Sequence, residues 1–195
     1  MNKVITISRE FGAGGQDIAK RVAEELGITI YDKDIVRETV KASGFDFDTV
    51  RREEEEVSKT SAFLRGLNAF YPDPREVIHD VQEAVILKFA KAGPCVILGR
   101  GADEILRKAG IDALNVFIHA SELHRAVRLQ KKLEITDATE LQKLMAKHDN
   151  NRRTYYTHYT GKQWGDCKNY HLTLDSGILG DDLCVKLILE AAQAK

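Results

Sequence analysis

The segment VITISREFGAGGQDIAKRVAEEL, residues 4–26, constrains the fold more than any other part of the chain. Val4, Ile5 and Ile7 are apolar and β-branched, as a strand buried in a parallel sheet requires. Ile18, Val22 and Leu26 recur on one helical face, with Ala19 and Ala23 beside them for close packing, and Gly27 stops the helix. Between strand and helix stand Gly12, Ala13, Gly14 and Gly15. Such a turn can curl its backbone N–H groups inward, and the helix behind it adds unpaired donors and the positive end of a dipole. This is the architecture of a phosphate-binding loop. The competing reading is a tight turn in which glycine serves backbone geometry alone.

The standard pattern G-x-x-x-x-G-K-[ST] is not met. With Gly14 at the second glycine, Arg9 stands at the first, Gly15 at the lysine and Gln16 at the hydroxyl position. Arg9 either supplies compensating charge or ends the strand pointing elsewhere. Asp17 either binds Mg²⁺, directly or through water, or favours the helix N-terminus.

At 195 residues the chain suits one α/β domain with a subdomain insertion, and 43% hydrophobic content supplies a normal core. Lys+Arg number 29 against Asp+Glu 30, a net charge of −1, so no bulk positive field draws the protein to nucleic acid or an anionic membrane. Anion affinity must come from locally placed arginines. Cys95, Cys167 and Cys184 are widely spaced and form neither a CxxC pair nor a metal pattern. A reducing cytoplasm, no signal peptide and no membrane span are the expectations.

Five short apolar runs, at 3–8, 29–31, 95–98, 114–119 and 170–174, read as strands of a parallel sheet separated by helices. Helices are expected over 34–42, 74–92 and 181–193, with a solvated helix over 46–56 around the charge run RREEEEV. Residues 61–74, with Phe63, Leu67, Phe70 and Tyr71, read as part of an insertion. Residues 122–132 and 137–159 read as a helical hairpin. Tyr155, Tyr156, Tyr159 and Trp164 read as hairpin packing, with a base-stacking surface as the second reading.

Arginine offers a planar fork matched to phosphate oxygens. Arg37 lies early in the helix after the second strand, and Arg100 follows the strand CVILG at the carboxyl edge where open α/β sheets bind ligands. Arg125 and Arg128 share a helix face, and Arg152 and Arg153 follow Asp149 on the next helix. Any one of these alone is a surface residue or ion-pair partner; a strand-terminal Gly-Arg-Gly offers little packing reason for Arg100.

In order, the stretches ISREFGAGG, YDKDIVRETV, VILGRGADEIL, VFIHASELHRAVRL and DNNRRTYYTHYT–W–YHLTLDSG resemble nucleoside monophosphate kinases, most closely the cytidylate kinase-like family. The resemblance implies a three-layer α/β P-loop kinase fold with a five-stranded parallel sheet. The core would be residues 1–42, 81–120 and 165–195, the monophosphate-binding insertion about 43–80 and the hairpin lid about 121–164. It further implies ATP and Mg²⁺ as cofactors. Gly12, Ala13, Gly14, Gly15 and Gln16, with Arg9 and Asp17, would hold the ATP phosphates, and Arg37 and Arg100 the acceptor monophosphate. Arg125 and Arg128 would lie at the moving phosphoryl group, joined on closure by Arg152 or Arg153, and Asp149 would orient that second arginine or the acceptor. The implied reaction is phosphorylation of CMP or dCMP, by a monomer or homodimer. A silent nucleotide-binding protein and a kinase of a different small metabolite stand as alternatives.

Overall fold

The computed structural model describes residues 4–50 and 73–194. The RREEEEV run, Phe63, Leu67, Phe70 and Tyr71, and with them much of the expected insertion, lie outside these residues.

Five parallel strands form one sheet in the order β2-β3-β1-β4-β5. They are β1 (Val4–Arg9), β2 (Thr29–Tyr31), β3 (Cys95–Leu98), β4 (Ala113–His119) and β5 (Leu172–Asp175). β1 is central, with Ile5 and Ile7 wholly buried, each worth roughly 1.5–3 kcal/mol by burial. The turn that follows β1 therefore springs from the best-anchored strand.

Alternation along the strands builds two cores. Ile5, Ile7, Val96, Leu98, Val116 and Ile118 face α1 (Gly15–Leu26) and α7 (Ser176–Gln193), meeting Ile18, Val22, Val185 and Ile188. Val4, Cys95 and Ile97 face the other side, against Val85, Ile86, Ile105 and Leu106 of α3 (Pro74–Ala92) and α4 (Ala102–Lys108). The chain moves outward from β1 to β2 on one face and returns from β2 to β3 and β4 on the other. Right-handed crossovers require that change of face when direction along the sheet reverses. The carboxyl ends of β1 and β3 thus meet at the sheet's centre.

Three further helices among the described residues are α2 (Lys33–Ser43), α5 (Glu122–Leu133) and α6 (Ala138–Thr160). α5 and α6 pack through Leu129, Leu141 and Met145. Asp137 caps α6 by accepting from the Thr139 and Glu140 N–H groups, so the hairpin expected over 122–159 forms.

Beyond one-residue shifts at element ends, one helix and two starting points differ from the sequence reading. α4 was not anticipated, because its seven residues are too few for a periodic signal. β5 starts at Leu172 because Tyr170 closes a 3-10 turn, Cys167–Asn169, and packs with Phe117, Tyr156 and Trp164. α7 begins at Ser176 rather than 181, where Asp175 accepts from the Gly177 and Ile178 N–H groups, and it breaks at Gly180 (φ 74°). All three cysteines are free thiols, and Cys95 and Cys184 are buried. Among the described residues, no helix is long and apolar enough to cross a membrane.

Candidate active site

At Arg9 the strand ends and the chain turns at once. The Glu10 N–H donates to the Ile118 carbonyl at 2.9 Å, and the Ala13 N–H donates back to the Glu10 carbonyl at 3.3 Å. Gly12 (φ 84°) and Gly14 (φ 81°) take left-handed conformations open to glycine, and no side chain caps α1. The first N–H groups of α1 are therefore left for an external acceptor, and a recess bounded by Gly14, Gly15, Gln16, Arg128 and Arg152 lies beside them. Ala13 is wholly buried, and its carbonyl accepts the Ser176 hydroxyl at 2.6 Å, fixing the loop to α7.

Each loop glycine also admits a neighbouring side chain. A β-carbon on Gly12 would lie 2.8 Å from Leu129 Cδ1, one on Gly14 would strike the Arg128 guanidinium, and one on Gly15 would lie 2.5 Å from Arg9 Cβ. The hairpin rests directly on the loop.

Asp149 and Arg125 clasp the loop backbone from above. Asp149 Oδ1 accepts the Phe11 N–H at 2.7 Å, and its Oδ2 accepts from Arg125 Nη1 at 2.5 Å. The same Arg125 nitrogen donates to the Phe11 carbonyl at 3.1 Å. Both side chains are buried. The Phe11 ring stacks on His148 at 4.2 Å, with the Arg152 guanidinium 5.7 Å from its centroid.

Arg128 pairs with Asp181 at 2.7 Å and with Asp17 at 2.9 Å, and Lys132 reaches Asp17 at 3.6 Å. Burial alone would raise the Asp17 pKa, but hydrogen bonding and charge from Arg128 and Lys132 outweigh it and hold the carboxyl below its usual range. Asp17 is thus engaged with two cations. Arg152 Nη1 donates to the Arg9 carbonyl at 3.0 Å, with Asp149 3.8 Å away. Burial pulls the Arg152 guanidinium below its ordinary pKa.

A second cavity adjoins the loop recess. Ser8, Arg100, Asn151, Tyr155 and Trp164 are among its walls, and Arg9, Phe11 and Arg152 line both spaces. Arg100 sits on a corner of three successive left-handed residues, Gly99 (φ 67°), Arg100 (φ 58°) and Gly101 (φ 64°). A non-glycine residue held there is strained, a condition that clusters at functional sites. Its Nη1 donates to the Leu98 carbonyl at 3.2 Å and to Asp32 Oδ1 at 3.3 Å, while Asp32 Oδ2 accepts from Gln16 Nε2 at 3.2 Å.

Two expected members stand apart. Arg37 is 63% exposed, pairs with Asp34 at 2.6 Å, and lines a separate shallow recess rather than the Arg100 cavity. Arg153, the next residue round α6, holds its guanidinium 5.7 Å from the centroid of Trp164 and lines neither the loop recess nor the Arg100 cavity. Helical periodicity explains Arg153, since adjacent residues face about 100° apart and only one of Arg152 and Arg153 can reach the loop, while Arg37 is held at the surface by its pair with Asp34. The aromatic group divides as well. Tyr159 stacks on His79 at 3.6 Å, whereas Tyr155, Tyr156 and Trp164 reach the cavity wall, with the Tyr156 hydroxyl donating to buried Asp103 at 2.7 Å.

Sequence reading passed over Asp32, Phe11, Asp181 and Ser176. Asp32 alone left a signal, as the first acid of YDKD at a strand's carboxyl end; the rest act through contacts distant in the chain.

No curated protein matches the chain. Solved structures do. An uncharacterized protein from Eubacterium ventriosum is 25% identical, with 99% of each chain covered and a TM-score of 0.73. Shikimate kinase from Bacteroides thetaiotaomicron is 14% identical over 99% of this chain and 97% of its own, at a TM-score of 0.53. A gluconokinase from Sinorhizobium meliloti is 15% identical over 98% and 95%, at 0.51. The likeness to these two kinases is one of fold. The sequence profile of the cytidylate kinase-like family matches residues 4–178, and the protein belongs to that family.

Proposed function

We propose that this protein is a kinase that moves the γ-phosphoryl group of ATP onto a small anionic acceptor, most simply the phosphate of CMP or dCMP. The observation that carries the reading is the shared wall of Arg9, Phe11 and Arg152 between the loop recess and the Arg100 cavity. Two anion sites that meet side by side suit donor and acceptor in direct transfer. The open N–H groups of α1 would hold the donor phosphates, with Arg128 beside them. Arg100 would hold the acceptor phosphate, and Tyr155 and Trp164 offer faces against which a base can pack.

Phosphoryl transfer asks the protein for alignment and positive charge rather than covalent chemistry. Arg152, at the junction, would neutralise charge on the moving group, while its bond to the Arg9 carbonyl keeps it in position. No general base is required, because an acceptor phosphate is already ionised at neutral pH. The bond from γ-phosphorus to the bridging oxygen breaks, ADP leaves with that electron pair, and an acceptor oxygen forms the new bond. The hairpin over the loop limits water, which would otherwise take the phosphoryl group.

Asp17 suits Mg²⁺ poorly, since Arg128 and Lys132 already engage it. Asp32, beside Gln16 at the start of α1, is paired with one cation, Arg100, rather than two, and is the better candidate, because Mg²⁺ takes one or two carboxylates with substrate phosphates and water. Bound there, the ion would screen charge on the phosphate chain. The cytoplasm, as the place of ATP, remains the expected setting.

A kinase of a different small anionic metabolite is the second reading. The position of Arg37, outside the Arg100 cavity, favours it. Purified protein with Mg-ATP and a panel of nucleoside monophosphates and other phosphorylated or carboxylated small molecules decides. ADP formed with CMP supports the first reading, and ADP formed only with a non-nucleotide supports the second. ATP binding without turnover for any acceptor overturns both in favour of a silent nucleotide-binding protein.

A further inference from the structure

Position 15 holds glycine where phosphate loops carry lysine, and its backbone does not explain the choice. Gly12 and Gly14 are left-handed; Gly15 is the first residue of α1 and is not among the positive-φ glycines. Backbone geometry there admits any L-residue. What excludes a side chain is Arg9. A β-carbon at position 15 would lie 2.5 Å from Arg9 Cβ and 2.9 Å from Arg9 Cγ, closer than real β-carbon contacts come.

The far end of Arg9 shows the same relation. Gly99, in the corner that carries Arg100, would place a β-carbon 2.5 Å from Arg9 Nη1. The Arg9 side chain therefore runs from one glycine at the loop to another after β3, and it lines both the loop recess and the Arg100 cavity. The strand holds its root, since the Arg9 Cα is in register with Ile118 and its carbonyl accepts from Arg152.

We propose that Arg9 is the cation of this phosphate loop, delivered from the strand's end instead of the helix's first turn, and that Gly15 is glycine in order to admit it. The ligand is the polyphosphate of a nucleoside triphosphate, met on the side facing the acceptor. A guanidinium there can present two N–H groups to oxygens of donor and acceptor together, which a lysine ammonium, a point charge, does less well. The inference rests on the kinase reading above, and it makes one demand that reading does not: residues 9 and 15 must trade.

The test compares wild type, Arg9→Ala, Gly15→Lys and the Arg9→Ala/Gly15→Lys double variant. Thermal unfolding without ligand reads the shared volume, and calorimetry with Mg-ATP reads the charge. Gly15→Lys should lower the melting temperature of the wild type and lower it less, or not at all, in the Arg9→Ala background. Arg9→Ala should weaken Mg-ATP binding at least tenfold, and the double variant should regain most of it. If Gly15→Lys does not fold, Gly15→Ala, which adds only the β-carbon, carries the same comparison. Additive melting shifts, or Mg-ATP binding unchanged in Arg9→Ala, overturn the proposal while leaving the kinase reading standing. A double variant that binds no better than Arg9→Ala overturns it too. Wild type that does not bind Mg-ATP overturns both.

Discussion

Asp149, in the second helix of the hairpin, accepts the backbone N–H of Phe11 at 2.7 Å and so ties that helix to the loop 138 residues earlier in the chain. The same carboxylate, with Glu10 3.5 Å from Arg125 Nε, neutralises Arg125, which grips the Phe11 carbonyl. A buried ion pair adds little over apolar packing, but breaking one by removing a single partner leaves an uncompensated charge. Asp149→Asn should therefore lower the unfolding free energy in urea titration, toward the lower end of about 3–5 kcal/mol because Glu10 stays beside Arg125. A loss under about 1 kcal/mol would show that solvent reaches Arg125 and that the clasp is weak.

Arg100→Ala should raise the acceptor's KM by roughly tenfold to a hundredfold, because it removes a charge-assisted anion contact from a partly enclosed cavity. The KM for ATP should move much less. Steady-state kinetics with each substrate varied in turn reads the split, and equal effects on both would place Arg100 in general loop support.

Arg152 and Arg153 are neighbours in sequence with different surroundings, one against the loop and one against Trp164. Arg152→Ala should reduce kcat by about 10²–10³, the usual cost of one preorganised donor. Arg153→Ala should reduce it far less and act mainly on stability. The reverse order would sink the assignment of Arg152 to the junction.

Glu104, buried beneath the Arg100 corner, pairs with Arg107 at 2.6 Å and with Lys162 at 2.7 Å. The Arg107 hydrogen bond leads in lowering its carboxyl to about 2; burial opposes this and Lys162 assists it. A depressed folded pKa gives stability that is full above the ordinary value of 4.5 and is lost as pH falls toward 2. Glu104→Gln should remove that acid-dependent part, on the order of 1–3 kcal/mol. Urea unfolding at neutral pH and near pH 3 measures it, and parallel losses in both proteins would reject the assignment.

The parallel sheet and the helix packed behind its first strand were legible in the sequence because β-branched runs and the helical stripe of Ile18, Val22 and Leu26 carry their periods locally. The hairpin was legible for the same reason. The short helix Ala102–Lys108 was not, since seven residues give too few turns for a period to show. Of the site, the glycine loop and the Gly-Arg-Gly corner announced themselves through residues that neither strand nor helix favours. Phe11, Asp181 and Ser176 did not, because each works through partners far along the chain.

The sequence by itself determined that a strand, a glycine turn and a helix would follow one another, and pointed to placed arginines rather than bulk charge as the source of any anion affinity. Local periodicity and glycine's backbone freedom are properties of neighbouring residues, so they survive without the fold. Only the tertiary structure decided which arginine meets which glycine: Arg128 over Gly14, Arg9 over Gly15, Arg152 at the junction, and Arg37 and Arg153 turned elsewhere. A side chain's direction depends on helix phase and on the packing of elements more than a hundred residues apart. The absent lysine at position 15 illustrates the division. In the sequence it is a gap in a motif, and in the fold it is the space that Arg9 fills.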